Sequence, residues 1–554
     1  MGPRALVTGA PFCGLKQIWA NREGLMSFDQ YVDQLIAPIA QFMSAVVFYA
    51  PNIGGIEIPL IVVWLAVAAV FMTVWLRFQP ITGFKHAIDV VRGRYASKTD
   101  PGEVSSFQAL ATEISGAIGL GNIAGVAVAI GLGGPGAALW IAIFGFFAMS
   151  LKMAEATLGT KYRVIDEDGT VHAGPMYFLK YGFKEIGWAK AGSVLAMFYA
   201  ISAFFGVFGG GNMFQSNQTA MILGEQLGWD FLLNHRWIVG VVFGIFLALV
   251  VVGGVKSIGK ITSKAVPIMA GTYLVCAILI LLFNLPQIPS AFMTIVTEAF
   301  QPKGVAGGAA GAAVIGIQRA LFSNAAGVGT AGMTHAAAKT RHPATEGFTG
   351  MWSPFLDSCV VCMITALVVV VTGVYKSGES DGIVMTAKAF STVAPWFSYV
   401  LMVIVVPFAF STVLAYYYYG LSAIQYILGN SKWVTHGFQV VWIAFTIIGS
   451  AITIDSVVTL ADALIFIMTI PNLIGVYALA KIVRYEILRH KVKVTTGAIP
   501  QIDPELAVGM GDHEPTEDQI AEARDRDEEE AREWHEIRER LYEDGEWGQQ
   551  REGE

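Results

Sequence analysis

Charge and cysteine are what this sequence has least of. Of its 554 residues, 14% are Asp, Glu, Lys or Arg and 54% are apolar, with a mean hydropathy of +0.56. So few charges cannot cover the surface of a soluble protein of this size. The four cysteines, Cys13, Cys276, Cys359 and Cys362, make no disulfide framework. Cys359 and Cys362 form a C-x-x-C pair, but it lies in an apolar run without a second pair or a His cluster, which favours packing. A basic excess is also missing. The net charge is −7, with much of the acid in the C-terminal tail, and no nucleic-acid partner is implied. Phosphate-cradling loops, His-Glu-x-x-His helices and nucleophile elbows do not occur, so no enzyme class is indicated. What is present is a series of apolar runs of ~20 residues, the length that crosses a bilayer as a helix. The expected fold class is an all-α polytopic membrane protein.

In chain order, residues 1–25 lack an apolar core with a small-residue cleavage site. No signal peptide is expected, and Met26 is the expected translation start. Residues 28–50 read as an amphipathic helix on the membrane surface, within an extracytoplasmic segment 1–56. Spans are expected at 58–76, 107–131, 136–158, 191–211, 237–254, 265–284, 304–334, 350–373, 396–419, 434–452 and 456–480, about eleven in all. Lys and Arg concentrate at 77–98, 152–190, 256–264, 339–341 and 481–493, whereas 285–303 and 374–390 carry few. Alternating spans put the basic clusters on one side. The positive-inside rule makes that side cytoplasmic, with the N-terminus outside and the C-terminus inside, in the plasma (inner) membrane. The segment 57–106 then holds one extra span and a basic loop. Residues 482–554 form a charged cytoplasmic tail, where Thr516-Glu-Asp-Gln519 reads as a capping box opening a solvated helix.

One apolar run is interrupted. Gly116, Gly119, Gly121 and Gly125 lie inside 107–131, and each glycine in a helix interior costs about 1 kcal/mol. The run should unwind near Gly119–Asn122, and freed backbone groups are tolerated in a bilayer only where they line a cavity or are buried in protein. A solute and ion site beside Asn122 is one reading. Close helix packing through small residues is the other. A second such run, 304–338, places Ser323 and Asn324 before Gly327 and Gly329. Two interrupted runs, each opening a block of five spans (107–285 and 304–481), point to inverted repeats with a midplane site.

The chain also carries Gly121-Asn-Ile-Ala-Gly-Val-Ala127, Gly133-Gly-Pro-Gly136, Gly174-Pro-Met-Tyr177, Gly211-Asn-Met-Phe-Gln-Ser-Asn217, Phe322-Ser-Asn324, His335-Ala-Ala-Ala338 and Phe408-Ala-Phe-Ser-Thr412. In this ordered set it resembles the alanine or glycine:cation symporters, also called sodium:alanine symporters. The resemblance implies a LeuT-type 5+5 inverted repeat with two broken helices plus one extra N-terminal helix. It implies uptake of small neutral amino acids, chiefly alanine and glycine, with sodium as coupling ion and no other cofactor. Two departures stand out. Ala325 replaces the acid of the family's Phe-Ser-Asn-Glu-Ala-Gly, and Gly329-Thr-Ala-Gly332 replaces its Gly-Ser-Ala-Pro.

An amino acid in a dry site needs its carboxylate and its ammonium satisfied together. Backbone N–H groups of Leu120, Gly121 and Asn122, at a half-helix N-terminus, suit the carboxylate, with Gly119 and Gly121 leaving room. Carbonyls near Phe322 and Ser323, with the Ser323 and Asn324 side chains, suit the ammonium. Gln215, Asn217 and Gln218 are expected along the outer approach or at the substrate. Phe198 and Trp352 are candidate caps, with packing as their alternative. The LeuT-type match implies a sodium site from carbonyls of Ser115 and Ile118 and hydroxyls of Ser411 and Thr412. The alternative for both hydroxyls is a bond to their own preceding helical turn. Glu113 is an ionisable group within a span and therefore a functional candidate. It is open to neutralising sodium, carrying a proton, pairing with Arg319 or meeting water near the interface. A proton-coupled transporter, or one for another small solute, is the alternative function. Asp357, Asp455 and Asp462 read as structural, and His335 as an interface residue. Oligomeric state is open.

Overall fold

Where the sequence is apolar for ~20 residues the chain is helical. The computed structural model describes residues 27–53, 56–167, 169–251, 254–301, 309–378, 382–499 and 501–502. Met26, the glycine-rich start of the 304–334 run and the tail helix expected after Thr516 lie outside the described residues. Strands among the described residues form two short antiparallel pairs, Asn52–Ile53 with Ile56–Glu57 and Val164–Ile165 with Val171–His172.

The helices that build and frame the site are α1 (Phe28–Val47), α2 (Leu60–Trp75), α3 (Ser106–Ala117), α4 (Val126–Gly133), α5 (Gly136–Lys161), α6 (Ala189–Phe208) and α7 (Phe214–Leu227). After Trp237–Val251 and Gly254–Phe283 come α8 (Ala309–Asn324), α9 (Thr330–Thr334), α10 (Pro343–Gly350), α11 (Cys362–Val371), α12 (Phe397–Leu428), α13 (Lys432–Ala451), α14 (Ile454–Ala478) and α15 (Ala480–Thr496). Among the described residues seven helices are long and apolar enough to cross a membrane, or eight if the bent pair α3 and α4 is one span. The chain is a multi-pass membrane protein. Each run expected as a span contains a helix, but α2 and Trp237–Val251 are short for a crossing.

Three expectations change. α1 does not lie across the membrane surface: it runs beside α14, with Asp33 accepting from Thr453 N at one end and Phe48 packed on Phe466 further along. α2 continues that line, Phe71 meeting Tyr477 and Trp75 Nε1 donating to Ala480 O. The outer side of α1 exposes Phe28, Tyr31, Leu35, Ile39, Phe42 and Val46, a 3–4 spacing that makes one apolar stripe. Second, the span expected at 191–211 does not end there: α6 and α7 form one 39-residue helix through a π-turn at Gly209–Met213. Third, Lys152 is not in a basic loop. It is fully buried within α5.

α5 is the central column. It packs against α2, α8, α9 and α10, and at Gly159 a Cβ would come within 2.2 Å of Gly332 O, so α5 and α9 meet backbone to backbone.

On the face where the basic clusters gather, α15 packs on α10 and His490 meets His86 of the helix Phe84–Val91. Their Nε2 atoms are 2.9 Å apart, so one ring donates and the other accepts. Burial holds His86 below its ordinary value, and burial with His86, His342 and Lys493 nearby holds His490 well below it. The folded protein therefore prefers both rings neutral. Above about pH 6.5 this makes no difference to stability; below it the unfolded chain binds more protons and stability falls. Protection from hydrogen exchange in 480–496, corrected for the intrinsic effect of pH, should fall when pH drops from about 7.5 to 5.5, that is, corrected exchange should rise. The doubly substituted His86→Gln, His490→Gln protein should lack that rise.

Candidate functional site

Ser105 opens α3 with a capping box: its hydroxyl accepts from Gln108 N, and Gln108 Oε1 accepts from Ser105 N. The helix ends at Ala117, Ile118 turns to ψ 81°, and a π-turn at Gly121–Gly125 leads into α4 at 50° to α3. At Gly119 a Cβ would come within 2.4 Å of Thr412 Oγ1, so only glycine fits. The N–H of Gly119 donates to Asn122 Oδ1 (3.2 Å) and to Ala117 O (2.8 Å). The N–H of Leu120 donates to Gln215 Oε1 (3.2 Å), whose Nε2 donates to Gly210 O.

The second break follows α8. Ala325 has φ 51°, and Gly327 and Gly329 have φ 89° and 93°, a left-handed region that costs a non-glycine residue about 1 kcal/mol. Its amides are gathered by an acid from another helix. Glu155 Oε1 of α5 accepts from Gly327 N (2.9 Å), Gly329 N (3.1 Å) and Asn472 Nδ2 (2.7 Å). Tyr199 OH donates to Val328 O, and Asn472 Nδ2 to Gly327 O.

The two breaks face each other across Asp357, in the π-turn Phe355–Val361 before α11. Asn122 Nδ2 donates to Asp357 Oδ1 (2.6 Å), and Ser323 Oγ reaches both carboxylate oxygens (2.9 and 2.7 Å). Ser358 Oγ donates to Oδ2 (2.8 Å) and accepts from Asn324 Nδ2 (2.9 Å). Asp357 is fully buried, and no basic side chain pairs with it among the described residues. Phe322 packs edge-on against Phe214, with the Arg319 guanidinium 5.2 Å from its ring centre.

The structure thus brings Gly119, Leu120, Gly121, Asn122, Gln215, Phe322, Ser323 and Asn324 to one place. Of the residues expected to hold the cation, Thr412 Oγ1 donates to Ser115 O at 2.9 Å, beside the Ile118–Gly119 bend. Ser411 Oγ instead bonds Phe408 O of its own helix. Asn217 and Gln218 do not line an open approach. They are fully buried, Asn217 donating to Gly449 O and Ile452 O, and Gln218 accepting from Ile383 N. Phe198 is 37% exposed on the outer surface, and Trp352 packs with Phe84 and Phe355.

Glu113 is paired, but not with Arg319, which ion-pairs with Asp462. Lys152 Nζ donates to Glu113 Oε1 (2.5 Å) and to Thr330 Oγ1 (3.2 Å). His335 is no interface residue: it is fully buried, with Nε2 2.5 Å from Glu113 Oε2 and Nδ1 2.7 Å from Glu346 Oε2. Sequence reasoning missed Glu155, Lys152 and Glu346 and undervalued Asp357. The available signal was Lys152 and Glu155 at i, i+3 inside an apolar run.

Residues 42–504 match the sodium:alanine symporter family. Sodium/alanine symporter AgcS of Methanococcus maripaludis is 39% identical over 77% of this chain and 92% of its own length. The probable sodium/glutamine symporter GlnT of Bacillus subtilis is 31% identical over 76% and 86%. The putative sodium/proton-dependent alanine carrier protein YrbD of the same organism is 30% identical over 82% and 93%. Among solved structures, MhsT in complex with L-phenylalanine aligns with a TM-score of 0.50 at 14% identity, covering 71% of this chain and 99% of that one. The shared fold is LeuT-type.

Removing the Glu155 carboxylate leaves the Gly327 and Gly329 amides unpaired in a dry interior. Glu155→Ala should destabilise the protein by about 2–5 kcal/mol, since each orphaned buried group costs 1–3 kcal/mol. Glu155→Gln, which keeps one accepting oxygen, should lose less than half of that. Thermal unfolding of the purified protein in detergent measures both.

Proposed function

The chain belongs to the sodium:alanine symporter family, symporters of amino acids with a cation, and we propose that it imports small neutral amino acids, alanine and glycine, with sodium. The observation that carries this reading is the buried Asp357 carboxylate between two helix breaks, supplied with neutral donors and with no ion-pair partner among the described residues. An uncompensated buried carboxylate favours a cation beside it. The ammonium of an amino acid and a sodium ion both meet that need, and sodium takes oxygen ligands as other hard cations do.

The substrate carboxylate goes to the amides of Gly119 and Leu120 and on to Gly121 and Asn122. There the side-chain oxygens of Asn122 and Gln215 already occupy the place of an anion. A carboxylate displacing Gln215 Oε1 gains charge-assisted bonds. Phe322, Ser323 and Asn324 form the opposite wall. The closeness of Gly121 to Ser323, whose Cα would lie 3.3 Å from an added Cβ, supports a small substrate. Sodium is held at Ser115 O, Ile118 O and Thr412 Oγ1, with Ser411 as the fourth oxygen.

Alternating access follows as a movement of the broken helices against the scaffold, in a molecule built from repeats 107–285 and 304–481. The N-terminus lies outside, α2 with the basic segment after it adds one helix and a cytoplasmic loop, and the C-terminus is cytoplasmic. The membrane is the plasma (inner) membrane.

Labelled alanine should accumulate in proteoliposomes under an inward sodium gradient. Thr412→Ala should raise the sodium concentration for half-maximal uptake by about ten-fold, a loss of ~1.4 kcal/mol, and Asp357→Asn should abolish accumulation. Accumulation driven by a proton gradient alone would replace sodium as the coupling ion.

A further inference from the structure

We infer that His335 is a proton-binding site, carrying a charged imidazolium between Glu113 and Glu346 that holds the half-helices α3 and α9 together. The argument is a count of hydrogens. Both ring nitrogens contact carboxylate oxygens, Nε2 at 2.5 Å and Nδ1 at 2.7 Å. Ionised carboxylates only accept, and a neutral imidazole donates from one nitrogen, leaving the other as an acceptor. Two contacts need two protons, and the neutral ring supplies one. The second belongs to the imidazolium with both acids ionised: Lys152 Nζ holds Glu113 as a carboxylate, and the Arg163 guanidinium within electrostatic reach of Glu346 favours the same form there.

The charge count agrees. Glu346, Glu113, Lys152 and His335 are all fully buried or nearly so, and with both glutamates ionised the four sum to zero only when His335 is charged. Without that proton a net negative charge stays in a dry interior, where an unpaired ion is strongly destabilising.

The remaining neighbours do not substitute for it. Glu155 of α5 is engaged by Gly327, Gly329 and Asn472. Arg163, beyond α5 and within electrostatic reach of Glu346, spends its guanidinium on the carbonyls of Ala336, Ala338, Pro101 and Thr340. Thr330 Oγ1 accepts from Lys152, and Thr334 meets Tyr419 of α12.

The placement gives the proton a consequence. Lys152 and Glu346 stand on α5 and α10, which pack on each other, while Glu113 and His335 stand on α3 and just after α9. The proton therefore bridges the two half-helices on one side of the breaks. Resting on the transport reading above, that side is cytoplasmic, and internal alkalinity frees the half-helices.

Hydrogen exchange of the full chain without substrate, corrected for the intrinsic effect of pH, tests this without any uptake assay. In the natural protein, protection of 106–117 and 330–337 should fall about ten-fold or more between about pH 6 and 9, as a linked proton is lost. This is opposite in direction to the 480–496 segment. His335→Gln should be weakly protected at every pH, because its amide is uncharged and leaves the buried Glu113 and Glu346 carboxylates with Lys152 alone to offset them. Glu346→Gln carries the test even if that variant fails to fold. Its amide donates to Nδ1, so the ring needs no extra proton, and protection should stay high with no step. A flat natural protein, or a Glu346→Gln protein that keeps the step, overturns the assignment. In proteoliposomes, uptake should follow internal and not external pH; dependence on external pH overturns the inner site, whereas absence of uptake bears only on the transport reading.

Discussion

A helix that unwinds inside a bilayer must find partners for its backbone without water, and the rest of this structure is arranged around doing so twice. At the first break the side-chain oxygens of Asn122 and Gln215 receive the Gly119 and Leu120 amides. At the second, one carboxylate oxygen of Glu155 receives two amides and the Asn472 side chain, and Tyr199 covers a carbonyl. The partners differ in kind. An amide oxygen such as that of Gln215 is a neutral acceptor that a substrate carboxylate can displace, whereas the charged acceptor at the second break binds its amides more strongly. The first break is thus the easier one to open to a ligand, and the second is the firmer hinge.

The same dry interior receives two carboxylates in opposite ways. Asp357 is satisfied by neutral donors from Asn122, Ser323 and Ser358 and lacks a basic partner among the described residues. Glu113 is flanked by Lys152 and His335 and is fully compensated. A mobile cation gains most beside the first and little beside the second. This separates an acid open to a mobile cation from an acid committed to holding helices.

How much of this could be read from residues alone follows from the range of the interactions. Glycine spacing marks a break locally, so Gly119–Asn122 and the Ser323-Asn324 turn were legible, as were the helices themselves from their apolar lengths. Partners across the fold were not. Glu113 stood out as an acid in a span, but Lys152 lies 39 residues away and His335 222 residues away, and no local pattern joins them. Counting Lys152 with a loop hid the Lys152–Glu155 pair. Conversely, the Asn217 and Gln218 side chains looked like an approach because polarity was read without the carbonyl and amide groups that consume it. The α1 stripe misled for a simpler reason: apolar spacing cannot tell a helix lying on a membrane from one standing beside another span.

The two buried ionic contacts that flank the breaks differ in their chemistry. Arg319 and Asp462 join α8 to α14 ahead of the second break. The chain from Lys152 through Glu113 and His335 to Glu346 lies beyond it. A guanidinium does not lose its proton in a protein, so the first contact can be opened only by separating its partners or by a competing charge. An imidazolium can lose its proton, so the second can also be weakened by the solution it opens onto. On the alternating-access mechanism proposed above, closure on one face then depends on geometry alone. Closure on the other depends on geometry and proton supply together. That asymmetry needs no additional domain, because it is already present in the choice of arginine on one side and histidine on the other.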